Sequence, residues 1–347
     1  MKKVLSVVGA RPNFIKLAAI HKALQKSFHH VIVHTGQHYD YEMSQKFFDE
    51  FSIPKQNYNL AVGSAENEEQ INLVIAKCQP VMKKEKPDVV LVYGDTNSTI
   101  GAAQAVVDLN MPVAHVEAGI RSFDKYSVEE ANRKAVDKIS SILFSPTKVA
   151  VANLKKECIV KNVFYTGDLM YDIFLKTIPD NSVFKENDVT AEYFFATIHR
   201  QENTNHKVKL KSIINALNAL EVQVILALHP RTRKALESLK LKTTNIKFIK
   251  PVKYAQSIAL QKKSEAVITD SGGIQKEAYW LKTPCVTLRD NTEWPETVTS
   301  GWNKLVGANE KSITKAVKNI KHPKSHPNYY GKGDASAKVV RILENYL

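Results

Sequence analysis

Several acids and histidines in this sequence sit just after short apolar runs, and that placement gives them chemical interest. Asp95 follows Val89-Val90-Leu91-Val92-Tyr93-Gly94, and Glu117 follows Val113-Ala114-His115-Val116. A carboxylate at the end of a buried strand can have its pKa tuned by burial and neighbouring charge, which suits proton transfer. Asp95-Thr96 ahead of a helix is equally the pattern of a plain helix cap, so Asp95 has two readings in isolation. Glu117 has no capping role to play. Glu129 and Glu130 open a predicted helix in Ser127-Val128-Glu129-Glu130-Ala131-Asn132-Arg133, where acids also serve as dipole partners. His199, in Thr197-Ile198-His199-Arg200, is a natural proton carrier at neutral pH. His229 precedes Pro230-Arg231-Thr232-Arg233, whose arginine forks suit a diphosphate.

A second set of residues is suited to holding an anion. Thr269-Asp270-Ser271-Gly272-Gly273-Ile274-Gln275-Lys276-Glu277 reads as a strand end, a glycine turn and a helix start. Backbone N–H groups in such a turn approach a phosphate closely. Glu277 follows within two helical turns and could reach ribose hydroxyls. Gly9-Ala10-Arg11-Pro12-Asn13-Phe14-Ile15-Lys16 is a similar turn, in which Arg11 and Lys16 suit an anion. It lacks the later glycines of the dinucleotide fingerprint, which argues against a nicotinamide cofactor.

These clusters need a scaffold that brings strand ends together. Short β-branched runs alternate with stretches of helical period, the pattern of a parallel sheet wound with helices. The first half predicts strands at Lys3–Val8, His30–His34, Val89–Tyr93, Pro112–Val116, Ile142–Ser145 and Val163–Tyr165. The second half predicts them at Tyr193–Ile198, Gln223–Leu228, Ile246–Ile249, Ala266–Thr269, Cys285–Leu288 and Lys304–Val306. The expected fold is α/β, two doubly wound domains in tandem. Pro179-Asp180-Asn181-Ser182 breaks both periodicities, which puts the change-over between Gly167 and Asn187, and Ala335–Leu347 reads as a last helix. Ligands in such sheets collect at the carboxyl ends of strands.

Composition narrows the function classes. The 347 residues are 44% hydrophobic and 24% charged, which excludes a disordered or fibrous chain. Apolar runs such as Val89–Tyr93 fall far short of the roughly 20 residues of a membrane helix. The start, Met1-Lys2-Lys3-Val4-Leu5, is interrupted by Gly9, Arg11 and Lys16 before a signal peptide's apolar region forms, so a cytoplasmic protein is expected. Cys78, Cys158 and Cys285 have no paired spacing, which argues against disulfides or a zinc knot. The net charge is +14, yet the lysines are dispersed, without a basic block interleaved with aromatics. A basic nucleic-acid binder is therefore the least favoured reading, and a basic cleft for a phosphorylated small molecule accounts for part of the charge equally well.

Taken in order along the chain, these motifs resemble the non-hydrolysing UDP-N-acetylglucosamine 2-epimerase family. The resemblance is carried by Gly9-Ala10-Arg11-Pro12 with Lys16, Thr35-Gly36-Gln37-His38, Gly94-Asp95-Thr96, and His115-Val116-Glu117-Ala118-Gly119 with Arg121. It continues through Glu129-Glu130-Ala131-Asn132-Arg133, His199-Arg200-Gln201-Glu202-Asn203, Asp270-Ser271-Gly272-Gly273-Ile274-Gln275 with Glu277, and Arg289-Asp290-Asn291-Thr292-Glu293 with Pro295-Glu296. The resemblance implies two Rossmann-like domains with a GT-B-like cleft, at 1–168 and 169–330, and a terminal helix at 331–347 packing back on the first. It implies a cytoplasmic homodimer that inverts C2 of a UDP-2-acetamido sugar by eliminating and re-adding UDP, for surface polysaccharide precursors. No metal or nicotinamide cofactor and no membrane or nucleic-acid partner is implied.

By the same resemblance Asp95, Glu117 and Glu129 are acid/base groups assisted by His199. Arg11, Lys16, Arg133, Ser271, Gly272 and Gly273 serve substrate and diphosphate, Glu277 the ribose, and His229 with the Phe248–Tyr254 segment the uridine. The stretch before Glu129 is about two residues shorter than in common members, so Glu129 and Glu130 both stay open as the working acid. Asn13, that short stretch, Gly94-Asp95-Thr96-Asn97-Ser98-Thr99, Gly167-Asp168-Leu169-Met170 and Lys276 are similar to the branch acting on UDP-2,3-diacetamido-2,3-dideoxyglucuronate. A GT-B glycosyltransferase or a hydrolysing epimerase would use the same UDP-sugar cleft.

Overall fold

The computed structural model describes residues 1–37, 45–189, 191–239 and 241–347. His38 of the Thr35–His38 motif lies outside them. Among the described residues the chain divides into two units, Met1–Lys176 with Asn328–Leu347, and Thr177–Pro327.

The first unit is built on β1 (Lys3–Val8), β2 (His29–His34), β3 (Tyr58–Asn59), β4 (Val89–Tyr93), β5 (Val113–Val116), β6 (Ile142–Ser145) and β7 (Val163–Tyr165). These seven strands pair in parallel in the order β3-β2-β1-β4-β5-β6-β7. The second unit uses β8 (Tyr193–Ile198), β9 (Gln223–Leu228), β10 (Ile246–Ile249), β11 (Ala266–Thr269), β12 (Cys285–Thr287) and β13 (Asn303–Leu305). They too are parallel, in the order β10-β9-β8-β11-β12-β13.

The apolar runs become strands buried on both faces because helices cover both sides of a parallel sheet. Val4 and Val8 of β1 join one core with Phe14, Leu17 and Ile20, while Leu5 and Val7 join another with Val74, Cys78 and Val106. Each such side chain contributes about 1.5–3 kcal/mol relative to exposure. In the first sheet the strand order reverses between β1 and β4, and in the second between β8 and β11. At such a switch point the following loops diverge and leave room for a ligand, so the fold brings together the residues after β1 and β4 in the first unit and, separately, those after β8 and β11 in the second.

The structure departs from the sequence reading in three places. β3 was not expected, because two residues hydrogen-bonded beside Val33 and His34 carry no periodicity of their own. Several strand ends move by one residue, as at β12 and β13. The first change of unit falls after Lys176, not after 168, because helix Leu169–Lys176 packs Leu169 and Ile173 into the first unit's core. The return falls at Asn328, three residues before the expected 331. From there the last helix, Ala335–Tyr346, adds Val339, Val340 and Leu343 to that core.

Candidate active site

In the first unit the acids are set by the turns that end β4 and β5. These strands are neighbours, with Tyr93 paired to Val116, so the residues beyond them emerge side by side. Gly94 turns the chain at φ 66°, and a Cβ there would lie 3.1 Å from Lys16 Nζ and 3.5 Å from Glu117 Oε1. Only glycine leaves that space to the lysine and the acid. Glu117 is itself left-handed, at φ 75°, a conformation that costs a non-glycine residue on the order of 1–3 kcal/mol. It is held there because the N–H groups of Glu117 and Ala118 both donate to Phe144 O, each at 3.0 Å.

Lys16 reaches across from helix Arg11–Ser27 and donates to Glu117 Oε1 at 2.8 Å, with the lysine side chain only 4% exposed. Beside it, Asn13 joins two strand ends, those of β1 and β4. Its Oδ1 accepts from the N–H groups of Gly9 and Ala10 and from Thr96 Oγ1, while its Nδ2 donates to Tyr93 O. Arg11 is the first residue of that helix, directly after β1 and half-buried.

Asp95 is not a helix cap, for the cap of helix Asn97–Val107 is Thr96. The Asp95 carboxylate instead pairs with Arg133, and the Asp95 carbonyl accepts from Asn132 Nδ2 at 3.0 Å. Both partners lie on helix Val128–Ile139, which therefore faces Asp95. That helix separates the two adjacent acids. Glu130 is 3% exposed, accepts from the N–H and Oγ of Ser122 at 2.8 and 3.0 Å, and lies 3.4 Å from Arg133. Glu129 is exposed and accepts from Ser127 Oγ at 2.9 Å. Glu130 is thus committed to holding the preceding loop and Arg133, while Glu129 is the acid open to solvent.

In the second unit the equivalent strand ends bring His199 to Asp270. Asp270 is fully buried, and its carboxylate accepts from the N–H groups of His199 and Arg200 and from Asn203 Nδ2, all at 3.0–3.1 Å. His199 Nδ1 lies 3.3 Å from Asp270 Oδ1, so a proton there is held by the acid, which orients the ring. Directly after Asp270, Ser271 caps helix Gly272–Leu281 by accepting from the Ile274 N–H. The donors around Asp270 neutralise a carboxylate that would otherwise repel an anion at this helix start.

Glu293 borders the same turn, 3.4 Å from where a Cβ on Gly272 would lie, and it is neutralised by Arg289 and Arg200. Lys276, one turn into the helix, is 1% exposed with its ammonium 3.9 Å from the Trp294 ring centre. Glu277 is buried and accepts from Gln261 Nε2 at 2.7 Å. His229 caps helix Pro230–Glu237 through its Nδ1, and its ring lies 5.8 Å from that of His199. Phe248 is 40% exposed and borders a cavity of about 480 Å³ with Leu228, Arg233, Leu236 and Lys250, while Tyr254 is buried.

The sequence reading gave no role to Asn13, Asn132, Asn203, Arg200 or Arg289, although all of them lie in its motifs. Asn13, Asn132, Asn203 and Arg200 act on neighbours distant in sequence, as Asn203 does on Asp270 and Asn132 on Asp95, and spacing along one chain carries no such information, whereas Arg289 pairs with Glu293 four residues on.

A family model described as UDP-N-acetylglucosamine 2-epimerase matches residues 22–344. The chain is 47% identical, over 99% of each sequence, to a UDP-N-acetylglucosamine 2-epimerase homolog of Methanococcus maripaludis. It is 42% identical to the UDP-2,3-diacetamido-2,3-dideoxy-D-glucuronate 2-epimerase of Pseudomonas aeruginosa, over 98% of this chain and 99% of the relative. Among solved structures, the Methanocaldococcus jannaschii UDP-GlcNAc 2-epimerase in complex with UDP-GlcNAc and UDP superposes with a TM-score of 0.93, at 41% identity and 99% coverage of each chain.

Proposed function

The chain belongs to the UDP-N-acetylglucosamine 2-epimerase family, a GT-B-like pair of Rossmann-like folds, and from that premise we propose how its own residues invert C2 of a UDP-2-acetamido sugar. The observation that carries the reading is the placement of Asp95 and Glu117 after adjacent strands, each ion-paired with a cation, Arg133 and Lys16. Inversion needs one group to take the C2 proton from one face and another to return a proton to the opposite face. Two carboxylates held apart by their own cations meet that need.

In the first half-reaction a carboxylate takes the C2 proton, the C–H electron pair forms the C1–C2 double bond, and the C1–O pair leaves with UDP. In the second half-reaction UDP re-adds at C1 while C2 is protonated from the other side. Negative charge grows on the departing diphosphate, where the Ser271-Gly272-Gly273 helix start and Arg11 stabilise it. Glu129, the solvent-open acid of its pair, is the third acid/base group, and Glu130 is a structural partner of Arg133. His199, oriented by Asp270, assists proton movement at the diphosphate, with His229 beside it and Glu277 on the ribose side.

Two substrates fit this chemistry. UDP-GlcNAc with its C2 epimer is one. The 2,3-diacetamido uronate is the second reading, supported by Asn13, Lys276 and the short stretch before Glu129. Incubation with each sugar nucleotide, followed by proton NMR, separates them. Comparable turnover of UDP-GlcNAc with none of the uronate removes the second reading, and release of free ManNAc with UDP would instead indicate a hydrolysing enzyme. We propose a cytoplasmic homodimer, supported by the family resemblance, the dimer being testable by mass measurement in solution.

A further inference from the structure

We infer that His115 is held as an imidazolium and is a positioning residue for Asp95 and Glu117, its kinetic consequence resting on the epimerase reading above. His115 is on β5 and fully buried. Its Nε2 lies 2.8 Å from Gly94 O, and its Nδ1 lies 2.7 Å from Asp137 Oδ1. A carbonyl oxygen only accepts, so Nε2 carries a hydrogen.

The other contact has the same requirement. Asp137 Oδ2 accepts from the Gly119 N–H at 3.1 Å and pairs with Arg121 Nη1 at 2.7 Å. Burial pushes the Asp137 pKa up, but the bonds from His115 and Arg121 outweigh it and hold the carboxyl below its ordinary value. An ionised Oδ1 also only accepts, so Nδ1 carries a hydrogen as well. With Arg121 gripping Glu157 through Nε and Nη2 at 2.8 and 2.7 Å, two cations and two anions cancel. A buried charge is tolerated under those conditions and not otherwise.

The ring thereby ties together the two turns that carry the proton-transfer acids. One nitrogen holds the peptide just before Asp95. The other acts through Asp137 on the N–H of Gly119, two residues after Glu117. Loss of the Nε2 proton would leave Gly94 O without its donor, and loss of the Nδ1 proton would leave Asp137, which accepts from the Gly119 N–H, without its own. Misplacement of a reacting group by about 1 Å is sufficient to cost roughly 10²-fold in rate.

Nitrogen-15 NMR of protein labelled at its 11 histidines provides the test. At about pH 8, where exposed imidazoles are neutral, one histidine should show both ring nitrogens protonated and slow to exchange. Asp137→Asn should abolish that signal and lower kcat by roughly 10-fold or more, with KM and UDP affinity within about 2-fold. His115→Gln, which can donate to Gly94 O but cannot satisfy both acceptors, should behave alike.

A wild-type spectrum with only singly protonated histidines overturns the charge assignment, whether or not either variant folds. Folded variants with unchanged kcat, or with kcat and KM moving together, overturn the positioning role. Inactivity of the wild type on every UDP-sugar would sink the epimerase reading and leave the spectrum to decide the rest.

Discussion

At the scale of single residues the account turns on pairs. The Lys16–Glu117 bond is nearly dry, and removing one partner would leave a charge without its counterion, which in buried pairs costs about 3–5 kcal/mol. Neutral isosteres are therefore the cleaner probes. Asp95→Asn and Glu117→Gln should each lower turnover by roughly 10²-fold or more while equilibrium binding of the sugar nucleotide, measured by calorimetry, is largely kept. Near-full rate in either variant would remove that residue from the proton chemistry. The place of Glu117 was legible in the sequence, because it directly follows the apolar run that forms β5. Asp95 was half legible, its cap reading decided only by Thr96 taking the cap. The choice between Glu129 and Glu130 was not legible, since adjacent residues on one helix differ only in which side meets the fold.

At the scale of elements, the first sheet carries a polar chain through its core. His21 Nδ1 lies 2.9 Å from His30 Nδ1, His30 Nε2 lies 2.8 Å from Ser6 Oγ, and Ser6 Oγ lies 2.7 Å from the Tyr93 hydroxyl. The chain links helix Arg11–Ser27 to β2, β1 and β4. Burial, with His21 and His29 nearby, lowers the His30 pKa to about 3, and burial lowers that of His34 to about 4. In the unfolded chain both take up protons near pH 6.5, so on acidification the unfolded state binds protons that the folded state refuses.

Their contribution is intact above that pH and is lost as pH falls toward 4 and 3. At pH 5 each group should cost about 2 kcal/mol. Thermal melts should therefore shift down between pH 7 and 5, and His30→Gln should flatten that dependence. An unchanged slope in the variant would show that His30 does not set it. The strands carrying this chain were legible as β-branched runs. β3 was not, because its two residues owe their conformation to the edge of β2.

At the scale of the whole molecule, the chain leaves the first unit after Lys176 and returns at Asn328. Asp172, 1% exposed, fixes the return by accepting from the N–H groups of Ala335 and Ser336 and from Ser336 Oγ. Asp172→Ala should cost about 2–3 kcal/mol and raise hydrogen exchange across Ala335–Tyr346, leaving β8–β13 protected. Equal loss of protection in both units would contradict that local role. Two Rossmann-like series were legible because β-runs recur twice in similar number. The point of change was not, because Leu169–Lys176 looks like any amphipathic helix until its partner helix, over 150 residues later, is placed beside it.

Removal of the C2 proton from one face and its return to the other make one demand that a simple group transfer does not share, which is that the hydrogen at C2 passes through an acid exchangeable with solvent. The most direct test is incubation with the UDP-2-acetamido sugar in D₂O and NMR of the recovered sugar nucleotides. Deuterium should fill C2 in both epimers, at a rate that falls with Asp95→Asn and Glu117→Gln. An inverted product that keeps its original protium at C2 would contradict the account.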